Sequence, residues 1–183
     1  PGFEGHVART LQTDADEEFL KQYPGYDIKQ YRLGPGTAME DIWIPGTEEG
    51  QQLRLRIFRP AGLPEKAPMI LDVHGGGFVG GNLDIENYRC ITLAEGTPCL
   101  VASVEYRTAG PDVRFPAPLL DCYTAYCWMI RHAEKLGTDP ERIGLHGTSA
   151  GGNLCAGLAL YLRDRGEQTP ALTVLSCPAL DIE

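Results

Sequence analysis

A serine between two glycines lies in the segment Gly147-Thr148-Ser149-Ala150-Gly151, which fits the pattern G-x-S-x-G. The short apolar run before it predicts a strand, and the small-residue run after it predicts a helix. A serine on such a sharp turn projects its hydroxyl from the edge of a sheet, where it can attack an acyl carbon. Gly147 and Gly151 fit the turn because a side chain at either position would collide with the neighbouring strand or helix. The pattern therefore indicates nucleophilic catalysis by Ser149.

A glycine-rich segment upstream could stabilise the charge that this reaction creates. It reads His74-Gly75-Gly76-Gly77-Phe78 and follows a second apolar, strand-like run. Attack by serine leaves a negative charge on the former carbonyl oxygen, and loss of one N–H that binds this oxyanion costs about 3–4 kcal/mol. We assign the donors to the N–H groups of Gly76, Gly77 and Ala150, the last at a helix N-terminus whose partial positive charge favours an anion. The residues that support the two motifs are His74, Gly75, Gly147 and Gly151.

Either motif alone is a weak signal, since glycine and serine are common in loops. Both occur here in the expected order, and each follows a predicted strand. Together they predict a serine hydrolase that acts on an acyl group.

The four histidines offer no clear partner for the serine. His6 lies in the N-terminal arm and His132 in a polar run at a helix end, and both are expected to be solvated. His146 lies inside the strand that leads to Ser149, which favours a buried, hydrogen-bonded structural role. His74 precedes the nucleophile and is interpreted as a structural residue that orients its loop.

These motifs resemble those of the hormone-sensitive-lipase-like esterases, also called bacterial family IV of the α/β hydrolases. The segment Gly147–Gly151, called the elbow below, matches the GTSAG variant of that family. The resemblance extends from about Asp41 to Glu183. It implies an α/β-hydrolase fold and hydrolysis of short-chain acyl esters, acetyl esters among them, with Ser149 as nucleophile. Further matches are Tyr106-Arg107, Phe115-Pro116-Ala117-Pro118 with Asp121, and the run Gly137-Thr138-Asp139-Pro140-Glu141-Arg142-Ile143. Asp121 is expected to be structural rather than catalytic.

The catalytic base is the point at which the sequence departs from that family. The triad of α/β hydrolases follows the chain order Ser, Asp or Glu, then His, yet no histidine follows Ser149. The resemblance implies an acid and a histidine beyond Glu183, because Asp181 comes too soon after the last predicted strand. Two alternatives stay open: a non-catalytic hydrolase-fold protein that binds a small ligand, and a half-domain completed by a second chain.

The predicted elements form an α/β fold with a mostly parallel sheet. A turn over residues 45–50 joins the first two strands into an antiparallel hairpin, and later strands alternate with helices, which implies parallel crossovers. The fold is expected to be truncated after the strand that follows the nucleophile helix, so this strand is left as an unprotected edge. The predicted strands are Met39–Ile44, Leu53–Arg59, Pro68–Val73, Leu100–Val104, Arg142–His146 and Leu172–Cys177, and the helices are Asn87–Glu95, Leu119–Lys135 and Ala150–Leu162.

The chain divides into an arm at residues 1–38 and the first part of a hydrolase domain at residues 39–183. A run of acids followed by apolar residues predicts a short helix at Asp14–Leu20 in the arm. The resemblance implies that this arm contributes to a cap over the site, and a loosely packed, solvated arm is the alternative.

Composition limits the partners of the protein. A formal net charge of −9 argues against nucleic acid, which requires a basic surface. No apolar run is long enough to span a membrane, and no signal-peptide pattern opens the chain. The six cysteines show no metal-ligand spacing and are expected to be free thiols in a reducing cytoplasm. We therefore expect a small acyl ester as the partner, no cofactor and no metal, and the oligomeric state stays open.

Overall fold

The computed structural model describes residues 33–34 and 36–180. The predicted helix at Asp14–Leu20, nearly all of the arm at residues 1–38, His6 and Asp181 lie outside the described residues. The strands are β1 Thr37–Pro45, β2 Gln52–Pro60, β3 Ala67–Val73, β4 Leu100–Val104, β5 Thr138–Thr148 and β6 Leu172–Ser176. The helices are α1 Leu83–Gly96, α2 Ala117–Arg131, α3 Ala133–Leu136 and α4 Ala150–Asp164.

The six strands form one mixed sheet with the order β1-β2-β4-β3-β5-β6. β1 and β2 pair as an antiparallel hairpin, and β2 also pairs antiparallel with β4. The remaining neighbours, β4 with β3, β3 with β5 and β5 with β6, are parallel. The predicted fold class, a mostly parallel sheet that begins with an antiparallel hairpin, is confirmed.

Helices cover both faces of the sheet, and alternation along the strands supplies an apolar side chain to each face. On one face Ile57 and Ala102 belong to a buried cluster that includes side chains of α2 and α4. On the other face their neighbours Phe58 and Val101 pack against Cys90, Ile91 and Ala94 of α1. The core therefore lies on both sides of the sheet and fixes the strand ends that carry the two motifs.

Helix α1 begins earlier than its predicted start at Asn87. The side chain of Asn82 accepts hydrogen bonds from the N–H groups of Asp84 and Ile85, at 3.0 and 3.1 Å, and caps the helix. Asp84 and Glu86 place acids in the first turn, where the helix dipole favours them. The sequence analysis therefore missed the first turn of α1, although Asn82 is a typical helix-capping residue.

The single helix predicted at Leu119–Lys135 is two helices, α2 and α3. The break falls at His132, whose Nδ1 donates to the carbonyl of Trp128 at 2.8 Å and whose ring stacks on the Trp128 indole. The expectation that His132 is solvated is wrong, because His132 is half-buried and its ring packs against Trp128 of its own helix. Gly137, in the left-handed conformation, ends α3.

Strand β6 lies at the edge of the sheet, as predicted from the sequence. Its side chains Leu172 and Val174 are 63% and 42% exposed. Within the described residues, no helix is long and apolar enough to cross a membrane.

Candidate active site

Ser149 occupies the turn between β5 and α4 with φ 53° and ψ −117°, a conformation that residues other than glycine rarely adopt. Three backbone hydrogen bonds hold it there. The N–H of Ser149 donates to the carbonyl of Ser176 at 2.9 Å, and its own carbonyl accepts from the N–H groups of Asn153 and Ala179. The strained turn is thus fixed both by α4 and by the segment that follows β6.

The two glycines of the elbow, Gly147 and Gly151, are needed for the reason predicted. A Cβ on Gly147 would come under 3.0 Å from the backbone of Gly151 and from the Cys155 sulfur on α4. A Cβ on Gly151 would overlap the carbonyl of Val73 at the end of β3. Strand, turn and helix therefore pack at distances that exclude any side chain at these positions.

The glycine loop, His74–Phe78, follows β3 and lies directly against the elbow. A Cβ on Gly75 would lie 3.1 Å from the carbonyl oxygen of Thr148 and 3.6 Å from the Cβ of Ser149. The carbonyl of Gly76 accepts hydrogen bonds from two N–H groups further along the loop, at 3.2 and 3.0 Å. Within the described residues, the N–H groups of Gly76 and Gly77 have no acceptor, so they are free to bind an anion.

The third assigned donor belongs to Ala150, the first residue of α4. The first N–H groups of a helix have no partner within the helix, and the helix dipole adds a partial positive charge there. Gly76 and Gly77 are exposed, whereas Ser149 is half-buried and Ala150 is buried. The glycine loop and the elbow thus bring the predicted nucleophile and the predicted donors to the same edge of the sheet.

His74 is held by contacts that orient its own loop. Its Nδ1 donates to the carbonyl of Gly75 at 2.7 Å, and its ring stacks on Tyr106 with the ring centroids 4.1 Å apart. The Tyr106 hydroxyl in turn donates to the His74 carbonyl at 3.0 Å. Burial lowers the pKa of His74, which favours a neutral ring at neutral pH.

His146 is buried, and its Nδ1 donates to the Asp72 carboxylate at 2.7 Å. The expected buried, hydrogen-bonded role of His146 is confirmed. Among the described residues, no histidine forms a hydrogen bond with Ser149, so they offer no candidate base for the predicted nucleophile.

Sequence reasoning missed a group of charged residues beneath the two motifs: Asp72, Glu86 and Arg89. Arg89 forms a bidentate pair with Asp72, at 3.0 and 3.1 Å, and Asp72 is completely buried. Burial by itself would raise the pKa of Asp72, but the His146 hydrogen bond and the Arg89 charge outweigh burial and lower that pKa. A carboxylate inside the apolar run Met69–Val73 was the signal in the sequence, because acids are rarely buried unless paired.

Asp121 anchors a loop rather than taking part in the site. It is completely buried and accepts hydrogen bonds from the backbone N–H and the Nε of Arg107, both at 2.9 Å. The side chain of Gln51 donates to its second oxygen at 3.1 Å. These contacts tie the β1–β2 turn to α2, which agrees with the structural role expected for Asp121.

Comparison with known proteins now identifies the family. A family profile described as alpha/beta hydrolase fold matches residues 70–183. The chain belongs to this family. Within it, hormone-sensitive lipase of Mus musculus is 34% identical over 153 residues, which are 84% of this chain and 20% of that protein. The predicted resemblance to hormone-sensitive-lipase-like esterases is thereby confirmed.

Two further similar proteins are named as an ester hydrolase and an esterase. Ethyl acetate hydrolase of Pseudomonas putida is 37% identical over 141 residues, which are 74% of this chain and 43% of that protein. A solved structure titled Bacterial Heroin Esterase superposes with a TM-score of 0.78 and 34% identity, covering 92% of this chain and 51% of that chain. The chain therefore spans less than half the length of hormone-sensitive lipase and of ethyl acetate hydrolase, and about half the length of the heroin esterase structure.

Proposed function

We propose that the protein is a carboxylic-ester hydrolase in which Ser149 attacks the ester carbonyl. The N–H groups of Gly76, Gly77 and Ala150 bind the oxyanion that forms. The observation that supports this proposal is the contact between the two motifs, where a Cβ on Gly75 would lie 3.6 Å from the Cβ of Ser149. Unpartnered N–H groups and a strained serine at one sheet edge suit acyl transfer.

The reaction proceeds through an acyl-enzyme. The Ser149 Oγ forms a bond to the carbonyl carbon while its proton passes to a general base, and the alcohol leaves with a proton from that base. Water then attacks the acyl-enzyme and gives a proton to the same base, which returns that proton to the Ser149 Oγ as the acid is released. The base and its orienting acid are assigned to residues beyond Glu183, because the triad of α/β hydrolases follows the chain order Ser, Asp or Glu, then His.

The proposed substrates are short-chain acyl esters, with acetyl esters as the first candidates. Two of the relatives above support this choice, since one is named for ethyl acetate and the other for heroin. The proposed acyl transfer is complete with protein groups and water, so it requires neither metal nor cofactor. We also propose a cytoplasmic protein, supported by six free thiols, of which Cys90, Cys122 and Cys155 are buried.

The acyl preference is tested by measuring kcat/KM of the whole protein on p-nitrophenyl acetate, butyrate and octanoate. We expect acetate or butyrate to exceed octanoate by about tenfold or more, the discrimination that a pocket can give through a few methylene groups. The Ser149→Ala variant, measured on all three esters, supplies the background. A preference for octanoate would overturn the substrate class while leaving ester hydrolysis in place.

A further inference from the structure

Arg89 on α1 contacts both segments that form the site. Its Nε and Nη2 bind the carboxylate of Asp72, which lies two residues before the glycine loop. Its Nη1 donates to the Thr148 hydroxyl at 2.6 Å, in the residue just before Ser149. One rigid guanidinium thus joins the end of β3 to the elbow, which a flexible ammonium group could not do with the same geometry.

Glu86, one turn earlier on α1, extends this connection into the glycine loop. Its Oε2 lies 2.7 Å from the Arg89 Nη1, and its Oε1 accepts the backbone N–H of Gly75 at 3.2 Å. This bond fixes the peptide between His74 and Gly75. The next peptide along the chain carries the N–H of Gly76, the first assigned oxyanion donor. The pair on α1 therefore holds the loop from one side and the Thr148 end of the elbow from the other.

Stability alone gives little reason to keep these charges inside the fold. Asp72 is fully buried, Glu86 is 9% exposed and the Arg89 side chain is 20% exposed. Replacing a buried ion pair with well-packed apolar side chains is often neutral or stabilising. Apolar side chains cannot fix the relative orientation of β3, the glycine loop and the elbow. This network does so, because its charged hydrogen bonds have defined geometry.

We propose that Arg89 and Glu86 are positioning residues that hold the glycine loop and the elbow at the separation that oxyanion binding requires. This inference rests on the proposed function. Catalysis is sensitive to such a separation, since a misplacement of about 1 Å can reduce a rate by about 100-fold. Neither residue touches the substrate, so each acts through Gly75 or Thr148.

A matched pair of variants at Thr148 tests the contact with little change in volume. Thr148→Val removes the oxygen that accepts from Arg89, and Thr148→Ser keeps it. For p-nitrophenyl acetate and the whole protein, we expect Thr148→Val to lower kcat by about tenfold with KM within about twofold. Thr148→Ser should keep kcat within about threefold of wild type, because it retains the hydroxyl. If packing of the Thr148 methyl group were the cause of the loss, Thr148→Ser would lose kcat as well.

Arg89→Lys is the second variant, because an ammonium group cannot reproduce the bidentate Asp72 pair and the Thr148 contact with the same geometry. Its control is Arg59→Lys at the opposite end of the sheet, where the guanidinium donates to the carbonyl of Leu136 at 2.8 Å. We expect both variants to lose some thermal stability and only Arg89→Lys to lose kcat per folded molecule. Circular dichroism gives the folded fraction, and Thr148→Val keeps the test decisive if Arg89→Lys does not fold.

The outcomes separate the two proposals. If Ser149→Ala abolishes turnover while Thr148→Val and Arg89→Lys retain wild-type kcat, the positioning role is overturned and the proposed function stands. If Ser149→Ala retains turnover, the proposed function itself fails. A fall in kcat for both Thr148→Val and Thr148→Ser would also contradict the positioning role, because the hydroxyl would then make no difference.

Discussion

Ser149 combines a reactive side chain with a backbone conformation that costs about 1–3 kcal/mol. Its hydrogen bonds to Ser176 and Ala179 offset this cost, so the residues around the end of β6 help to hold the proposed nucleophile. Gly147 was predictable from local packing, because a Cβ there would meet the backbone of Gly151 on the next turn. Gly151 faces the distant Val73 and was predictable only through the motif to which it belongs. Close packing of this kind leaves a signature in the sequence.

Gly76 offers the sharpest residue-scale test of the oxyanion assignment. It has φ 123°, and a Cβ there would overlap the carbonyl of Gly80, so Gly76→Ala must displace the loop. We expect kcat on p-nitrophenyl acetate to fall by about 100-fold, as for loss of one oxyanion donor. The measurement is steady-state kinetics per folded molecule.

Gly62→Ala is the control for backbone strain alone. Gly62 has φ 72° with no atom within 4 Å of the added Cβ, and it follows β2 outside the proposed site. We expect unchanged kcat in this variant. A Gly76→Ala rate within about twofold of wild type would move the donor to another residue.

At the scale of elements, α1 links the two motifs through its charged side chains. The sequence predicted the strands on which the motifs stand but placed the start of α1 at Asn87, which left Glu86 outside the helix. The partnership of Asp72, Arg89 and His146 was also not predictable, since their spacing reflects how α1, β3 and β5 pack. Register and packing between distant segments leave no local pattern to read.

The Asp72 network predicts a loss of stability in acid. Its pKa is held below the ordinary 3.8, so the ionised form stabilises the fold above that pH, and this stabilisation is lost as pH falls below it. Burial raises the pKa of Glu86, which contributes with the opposite sign. We expect Asp72→Asn to cost about 3–5 kcal/mol at neutral pH, because Arg89 and His146 lose a buried partner.

The difference in unfolding free energy between wild type and Asp72→Asn should stay constant above about pH 5 and shrink as the pH falls through 3.8 toward the lowered pKa of Asp72. Urea denaturation at a series of pH values measures it, with Glu86 present in both proteins. The difference shrinks because wild type loses stability in acid, whereas the amide of the variant does not titrate. A difference that stays constant across the range contradicts it.

At the scale of the whole molecule, the sheet order brings the chemistry together. β3 and β5 are neighbours and parallel, with Val73 opposite Gly147, so their carboxyl ends deliver the glycine loop and the elbow to one place. Motif order and the family resemblance predicted a mostly parallel sheet that begins with an antiparallel hairpin, whereas the order of the strands was not predicted. No described residue is assigned as the base, which the proposal places in the part of the relatives' length that this chain does not span.

Ester hydrolysis by this protein is proposed to depend on the hydroxyl of Ser149. The most direct test is p-nitrophenyl acetate hydrolysis by the whole protein and by its Ser149→Ala variant, which keeps a Cβ and therefore the same backbone strain. We predict turnover by wild type, turnover at the background rate by Ser149→Ala, and identical circular dichroism spectra. Turnover that persists in folded Ser149→Ala would show that Ser149 is not the nucleophile.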